Sequence, residues 1–292
     1  MSDRNLKLLI LITAILLIFI GIKTFLPRLL SVSSPYLEKI KSLDKNSVSV
    51  INIKNSQTDT PMKKVNSHWQ VNNKKADTEK IGSLLDFLLS TDAPELIART
   101  RKRHKEFGLD NPSATKITLD NRLSWLLGKS VNYSVYTRFE GEDSVYLLNN
   151  SSSADISPDV NLWYDKTVIS FDASRAAKLT VKKDILSEIK LYKKDNKWLF
   201  EKTEKEASQD KINDILTALS SLRASSLAAE QDLSKYPKNP VLSVTVGYDS
   251  QTSTLEFFKG ENDYLIRRLS DGELFTVSEY SISSLLSFPE DI

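Results

Sequence analysis

From Leu8 to Ile22 the chain is apolar at every position except Thr13 and Gly21. Lys23 can snorkel its ammonium toward water, so the run extends through Thr24, Phe25 and Leu26 before Pro27. At 1.5 Å per residue a helix over this stretch is about 28 Å long, close to one hydrocarbon thickness. The pattern predicts a transmembrane anchor over residues 1–30 and a juxtamembrane linker over 31–45. A cleaved signal peptide is the competing reading, supported by the short basic lead and Ser31-Val32-Ser33. The run is long for a signal peptide and no A-x-A site follows it, which favours a retained anchor.

Beyond residue 45 the pattern changes to short alternating runs and two amphipathic windows. Ile81, Leu84, Leu85 and Leu88 recur at i, i+3, i+4, i+7, and Ile212, Ile215, Leu216 and Leu219 repeat them at an offset of 131. Asp77-Thr78-Glu79 and Ser208-Gln209-Asp210 stand before these helices at the same offset, each a capping residue followed by an acid in the first turn. Trp69 and Trp198 lie in strand-like runs beside Asn/Lys-rich turns. Phe107-Gly108-Leu109-Asp110-Asn111-Pro112 corresponds to Tyr236-Pro237-Lys238-Asn239-Pro240. Each proline precedes a strand pattern, Thr115–Leu119 and Leu242–Val246. Gly128 and Gly260 read as turn glycines between further strands. Val145–Leu148 and Leu274–Val277 close the two copies.

The expected fold is therefore α+β: an N-terminal transmembrane helix followed by two tandem modules, each a mostly antiparallel sheet with one main helix. Module 1 covers 46–150 and module 2 covers 185–292. The stretch 151–184, with Leu162-Trp163-Tyr164-Asp165-Lys166 and the apolar run Val168–Phe171, reads as an ordered connector.

Trp69, the Asp77 helix, Phe107–Pro112, Gly128, Tyr133, Val145-Tyr146 and the connector Leu162–Lys166 with Val168 and Phe171 carry a resemblance over about residues 45–277. The chain resembles the domain-of-unknown-function family 4340. That resemblance implies an extracytoplasmic auxiliary protein accompanying ABC-type export systems of the gliding-motility type. The second copy departs from the pattern at Tyr236-Pro237, where the glycine is lost.

Composition narrows the chemistry. The net charge is +2, from 40 basic and 38 acidic side chains. Residues 1–45 hold seven of the basic and three of the acidic ones, which leaves 33 against 35 for the rest. The excess positive charge thus flanks the apolar run, where anionic headgroups attract it, and nucleic acid is not an expected partner. With no cysteine, thiolate catalysis, thiolate metal sites, disulfides and a lipoprotein anchor are excluded. The eight glycines are isolated, so neither a dinucleotide fingerprint nor a P-loop can form. His68 and His104 lie in different segments and are expected at the surface. No cofactor, metal or catalytic residue is expected.

Two groups remain as candidate contact residues. Arg99, Arg101, Lys102, Arg103 and Lys105 form the densest charge cluster, suited to anionic headgroups or an acidic partner. Trp163 and Tyr164 offer aromatic surface for a ligand or glycan. Acid groups near Gly141 and Gly260 read as hairpin tips. The expected function is a non-enzymatic auxiliary or scaffold subunit of an envelope ABC-type transport or motility complex, contacting a permease or related envelope proteins. It is expected in the inner membrane as a single-pass protein, with the C-terminal domain outside the cytoplasm and membrane contact through residues 6–26. An extracytoplasmic ligand- or glycan-binding module and a carboxylate-based hydrolase are the alternatives.

Overall fold

The structure, a computed structural model, describes residues 34–110, 114–149, 156–183 and 187–286. The apolar run and the anchor expected there lie outside them, as do Asn111 and Pro112 of the first loop motif. Among the described residues no helix is long and apolar enough to cross a membrane. The chain divides into two compact units. Unit 1 takes the chain up to Asp59 and Gly82–Pro158, and unit 2 takes Thr60–Ile81 and Asp159–Ile292. Both are built on antiparallel sheet with few helices, the α+β architecture read from the pattern.

Unit 1 opens with the short helix α1 (Pro35–Ile40), led by a proline suited to the first helical turn. This segment, expected as linker, is core. Tyr36 is fully buried and donates its hydroxyl hydrogen to Leu88 O at 2.9 Å, while Trp125 Nε1 donates to the Tyr36 oxygen at 3.0 Å. Phe139 and Tyr146 pack their rings against Tyr36 at 5.0 and 5.3 Å between centroids. Burial of this ring pushes the Tyr36 hydroxyl far above the usual tyrosine range.

Strands β1 (Val50–Lys54), β5 (Glu95–Ala98), β6 (Thr115–Leu119), β7 (Leu123–Val131), β8 (Ser134–Phe139) and β9 (Val145–Asn149) form the sheet of unit 1. Their order is β1-β6-β7-β8-β9-β5, with antiparallel neighbours throughout. A type I′ two-residue hairpin needs φ > 0 at both central positions, which, after glycine, asparagine and aspartate tolerate best. Asn132-Tyr133 fills the two-residue β7–β8 turn at φ 47° and 58°, while Asp120, Asn121 and Arg122 lie between the paired Leu119 and Leu123, the first two at φ 46° and 54°.

Unit 2 contains β2 (Asp59–Val65), β3 (His68–Val71) and β4 (Lys74–Lys75), which pair in sequence as antiparallel neighbours. Its main sheet is built from β10 (Ala176–Lys182), β11 (Glu188–Lys194), β12 (Lys197–Phe200), β13 (Ser226–Leu227), β14 (Leu242–Tyr248), β15 (Gln251–Lys259), β16 (Asp263–Arg268) and β17 (Leu274–Ser278). The order is β12-β11-β10-β14-β15-β16-β17-β13. The pairing β10–β14–β15–β16–β17–β13 reproduces β1–β6–β7–β8–β9–β5 element for element, and the hairpin β11–β12 matches β2–β3. The repeat read from constant offsets is thus a repeat of strand topology.

Helix α2 (Thr78–Leu88) buries Ile81, Leu84, Leu85 and Leu88, and helix α3 (Gln209–Ser220) buries Ile212, Ile215, Leu216 and Leu219, as the periodicity requires. The caps differ. Asp77 Oδ1 accepts from Lys80 N at 3.0 Å, a side-chain cap. Ser208 makes no such bond, and Gln209 instead exchanges hydrogen bonds with the Trp198 backbone, accepting from its N at 2.9 Å and donating to its O at 3.2 Å. Trp69 and Trp198 are both buried, and their carbonyls accept from Ala76 N and Ala207 N at 2.9 Å. The last helix, α4 (Ser283–Leu286), adds Leu285 to the unit 2 core.

The connector is ordered wherever it is described. Ala76 and Tyr164 form an antiparallel bridge, Asp77 N donates to Trp163 O at 2.8 Å, and Asp165 N donates to Lys75 O at 2.9 Å. A Lys75–Asp165 ion pair at 2.6 Å reinforces the pairing. These contacts explain why Thr60–Ile81 groups with the later chain.

Gly260 lies in the β15–β16 turn as expected, but Gly128 does not sit in a turn: it lies inside β7. A Cβ there would stand 2.2 Å from Phe107 O. The glycine admits the 107–108 backbone against the strand, and Lys129 N donates to Phe107 O at 2.9 Å. The ladder with β8 is irregular here, its register shifting between Leu127 and Ser130.

Candidate interaction site

The basic run folds into successive tight turns. Thr100 caps a 3₁₀ turn over Arg101–Arg103, His104 N donates to Arg101 O at 3.0 Å, and Leu109 N donates to His104 O at 2.9 Å. The turns send the residue types apart. Phe107 and Leu109 enter a small apolar cluster with Ala98, Leu126 and Val145, while Arg99, Arg101, Lys102, Arg103 and Lys105 stay exposed. His104, expected at the surface, is 4% exposed: the 3₁₀ turn carries it inward, and its Nε2 lies 2.9 Å from Asp143 O.

Arg103 is satisfied locally. It forms a bidentate pair with Glu106 at 2.9 and 2.8 Å and lies 4.7 Å from the Phe107 ring. Mutual hydrogen bonding raises the Arg103 pKa and lowers that of Glu106, although both side chains are exposed. By contrast, Arg101, Lys102 and Lys105 make no ion pair among the described residues.

Sequence reasoning missed Arg138, which β8 brings to the same place. Its Nε donates to Leu109 O at 3.2 Å, and its Nη1 donates to Phe139 O at 3.2 Å and Glu142 O at 3.3 Å. Burial, and then the neighbouring Arg101 charge, lower its pKa. A cleft of about 300 Å³ is lined by Arg101, Lys102, His104, Lys105, Asp110 and Arg138. A second lobe of about 200 Å³ runs past Arg101, His104 and Arg138 to Glu140, Glu142 and Asp143. There Glu140 pairs with Lys116 and Glu142 with Lys39, so the acid lobe is largely neutralised and the basic lobe is not. The expected hairpin-tip acids thus form one wall of a site.

Trp163 and Tyr164 do not join this cluster; they belong to unit 2. Trp163, expected as an exposed aromatic, is 1% exposed, and Lys80 Nζ lies 5.5 Å from its ring. Tyr164 is half-buried, its backbone bridged to Ala76. The pairing of the connector accounts for both placements. Among the described residues, no group of His, Asp or Glu is arranged to hold a metal ion.

No curated protein and no solved structure matches the chain. The family described as domain of unknown function DUF4340 matches residues 69–240, from the buried Trp69 to the proline before β14. This match covers more than half the sequence, takes in the basic turns, Arg138 and the connector, and shows that the chain belongs to the DUF4340 family.

Proposed function

We propose that the protein is a membrane-anchored auxiliary subunit of an envelope ABC-type transport or motility complex, working by contact rather than catalysis. The observation that supports contact over catalysis is the use of four carboxylates as structural acceptors. Asp120, Glu140, Asp165 and Asp271 all have lowered pKa values, with hydrogen bonds to neighbouring donors outweighing partial burial. A hydrolase built on carboxylates needs one acid held protonated near neutral pH. These are held ionised and spent on structure: Asp120 on the start of β1, Asp165 on the connector, Asp271 on Arg268. The burial of Trp163 counts against an aromatic ligand groove.

The exposed cations of the basic turns supply the contact surface, with the residues after the apolar run placed outside the cytoplasm. Full-length protein recovered from detergent-solubilised membranes should bring an ABC permease with it. Replacing Arg99, Arg101 and Lys105 together by Gln should reduce that recovery without lowering the unfolding midpoint. A permease-free preparation, or full recovery with the triple variant, would remove the reading. Alkaline phosphatase fused after Ile292 should be active, and an inactive fusion would invert the topology.

A further inference from the structure

The basic lobe in unit 1 has the makings of a ligand site as well as a surface. Four of its six lining residues are cationic, against the single acid Asp110. Three of the four come from one turn and lack ion-pair partners among the described residues. The fourth, Arg138, is held in place by three backbone carbonyls through Nε and Nη1, which leaves its Nη2 with no hydrogen bond among the described residues. A guanidinium fixed in this way has already lost its rotational freedom and part of its water. The floor is equally fixed, since His104 is buried against Asp143 O.

We propose that this cleft binds a phosphate group. Like charges gathered around a half-buried guanidinium repel one another: burial and then Arg101 lower the Arg138 pKa, and the opposing charges of Asp143 and Glu140 act less strongly. A divalent anion placed among them would remove that repulsion and accept charge-assisted hydrogen bonds from two planar guanidinium groups and two flexible ammonium groups. Size points the same way. At about 300 Å³ the lobe is at the lower end of ligand pockets, which suits one tetrahedral anion better than a folded peptide segment. The phosphate could be free in solution or the headgroup of a lipid; the recognition chemistry is shared. This inference does not depend on any ABC-type partner.

The test uses full-length protein in maltoside micelles and phosphate-free buffer. Inorganic phosphate is titrated by calorimetry in one arm. Dihexanoyl phosphatidylglycerol, with dihexanoyl phosphatidylcholine as the neutral control, is titrated in the other. Saturable binding is expected in at least one arm, weakening as salt is added. The double variant Arg101→Gln/Lys105→Gln should weaken it at least tenfold, and both positions are exposed enough to change without unfolding the unit. Arg103→Gln should leave it unchanged, because that guanidinium is already taken by Glu106. Binding of inorganic phosphate with this variant pattern supports a soluble ligand, and binding of phosphatidylglycerol alone supports a headgroup. Absence of binding in both arms, or undiminished binding by the double variant, overturns the proposal. Complex recovery is read separately, so losing one property does not imply losing the other.

Discussion

The two copies place a loop against a glycine, one in a strand and one in a turn, by different means. In the first copy the loop approaches with its backbone: Gly108 turns at φ +70° and Phe107 O reaches over Gly128 to accept from Lys129 N. In the second, Pro237 occupies the position after Tyr236, and the loop approaches with a side chain instead. The Tyr236 hydroxyl donates to Asp263 Oδ1 at 2.9 Å, and its Cε1 would stand 2.8 Å from a Cβ on Gly260. Both copies need a strand or turn without a side chain at that place. In the first the closest neighbour is main chain, at 2.2 Å, which cannot move aside; in the second the two closest are side chains, with Asp263 O next at 3.2 Å. The turn aspartates diverge in the same manner. Asp120 Oδ1 accepts from Ser49 N, Ser49 Oγ and Val50 N at 3.0, 3.0 and 2.8 Å, whereas Asp249 pairs with Arg175 at 2.6 Å. Topology is shared, and the local chemistry that closes it is not.

The largest effect tests what is shared. Trp69→Ala and Trp198→Ala should each cost about 3–5 kcal/mol, since both rings are buried in equivalent strands. Urea unfolding that shows one costly and one harmless substitution would break the equivalence of the copies.

Next come the glycines. Gly128→Ala sets a methyl against backbone and should cost about 3 kcal/mol, at the upper end of ordinary overpacking. Gly260→Ala meets the Asp263 carboxylate and the Tyr236 ring edge, which can swing away, and should cost about 1 kcal/mol. Equal shifts in denaturation midpoint would erase the distinction between a backbone and a side-chain approach.

The aspartates should separate by less. Asp120→Ala removes an acceptor from three donors at a partly exposed site and should cost about 1–2 kcal/mol. Asp249→Ala removes an exposed ion pair and should cost about 0–1 kcal/mol, less in high salt. The pKa of Asp120 is depressed, so its contribution is present above the unfolded carboxylate pKa and fades as pH falls through the lower folded value. Acid unfolding of Asp120→Asn should therefore lack part of the wild-type pH slope.

Tyr236→Phe removes one hydrogen bond and should cost about 1 kcal/mol or less. Burial, and then the Asp263 contact, push the Tyr236 pKa to about 12. Its contribution is whole below the unfolded tyrosine pKa of about 10 and declines as pH rises toward 12. Stability of wild type and Tyr236→Phe, measured across about pH 9–12, should converge.

Helix faces, core tryptophans and the repeat were legible because each rests on short-range periodicity or on a pattern the chain writes twice. Gly128 was misplaced because a turn glycine and a strand glycine look alike until the Phe107 loop is set against it. His104 is flanked by cations and reads as surface, yet a 3₁₀ turn reverses its direction. Arg138 lies 29 residues from one of the carbonyls that hold it, and no local pattern announces such a pairing. Its one sequence signal is an alternation in β8 that leaves a charged residue between inward-facing Thr137 and Phe139. The site is half legible: the basic turn is written in the sequence, its half-buried partner Arg138 is not.

The pairing of Lys74, Lys75 and Asp77 with the later chain has a consequence for how the molecule comes into being. Asp77 pairs with Arg223, 146 positions on, and Lys74 with Glu273, 199 positions on. Loop-closure entropy must be spent before such distant contacts return anything, so this ribbon is among the last parts to lock. During synthesis Thr60–Ile81 waits at least until its partners at Trp163–Asp165 have emerged. A nascent chain stalled before residue 160 should be cut by protease within this ribbon, and a completed one should resist.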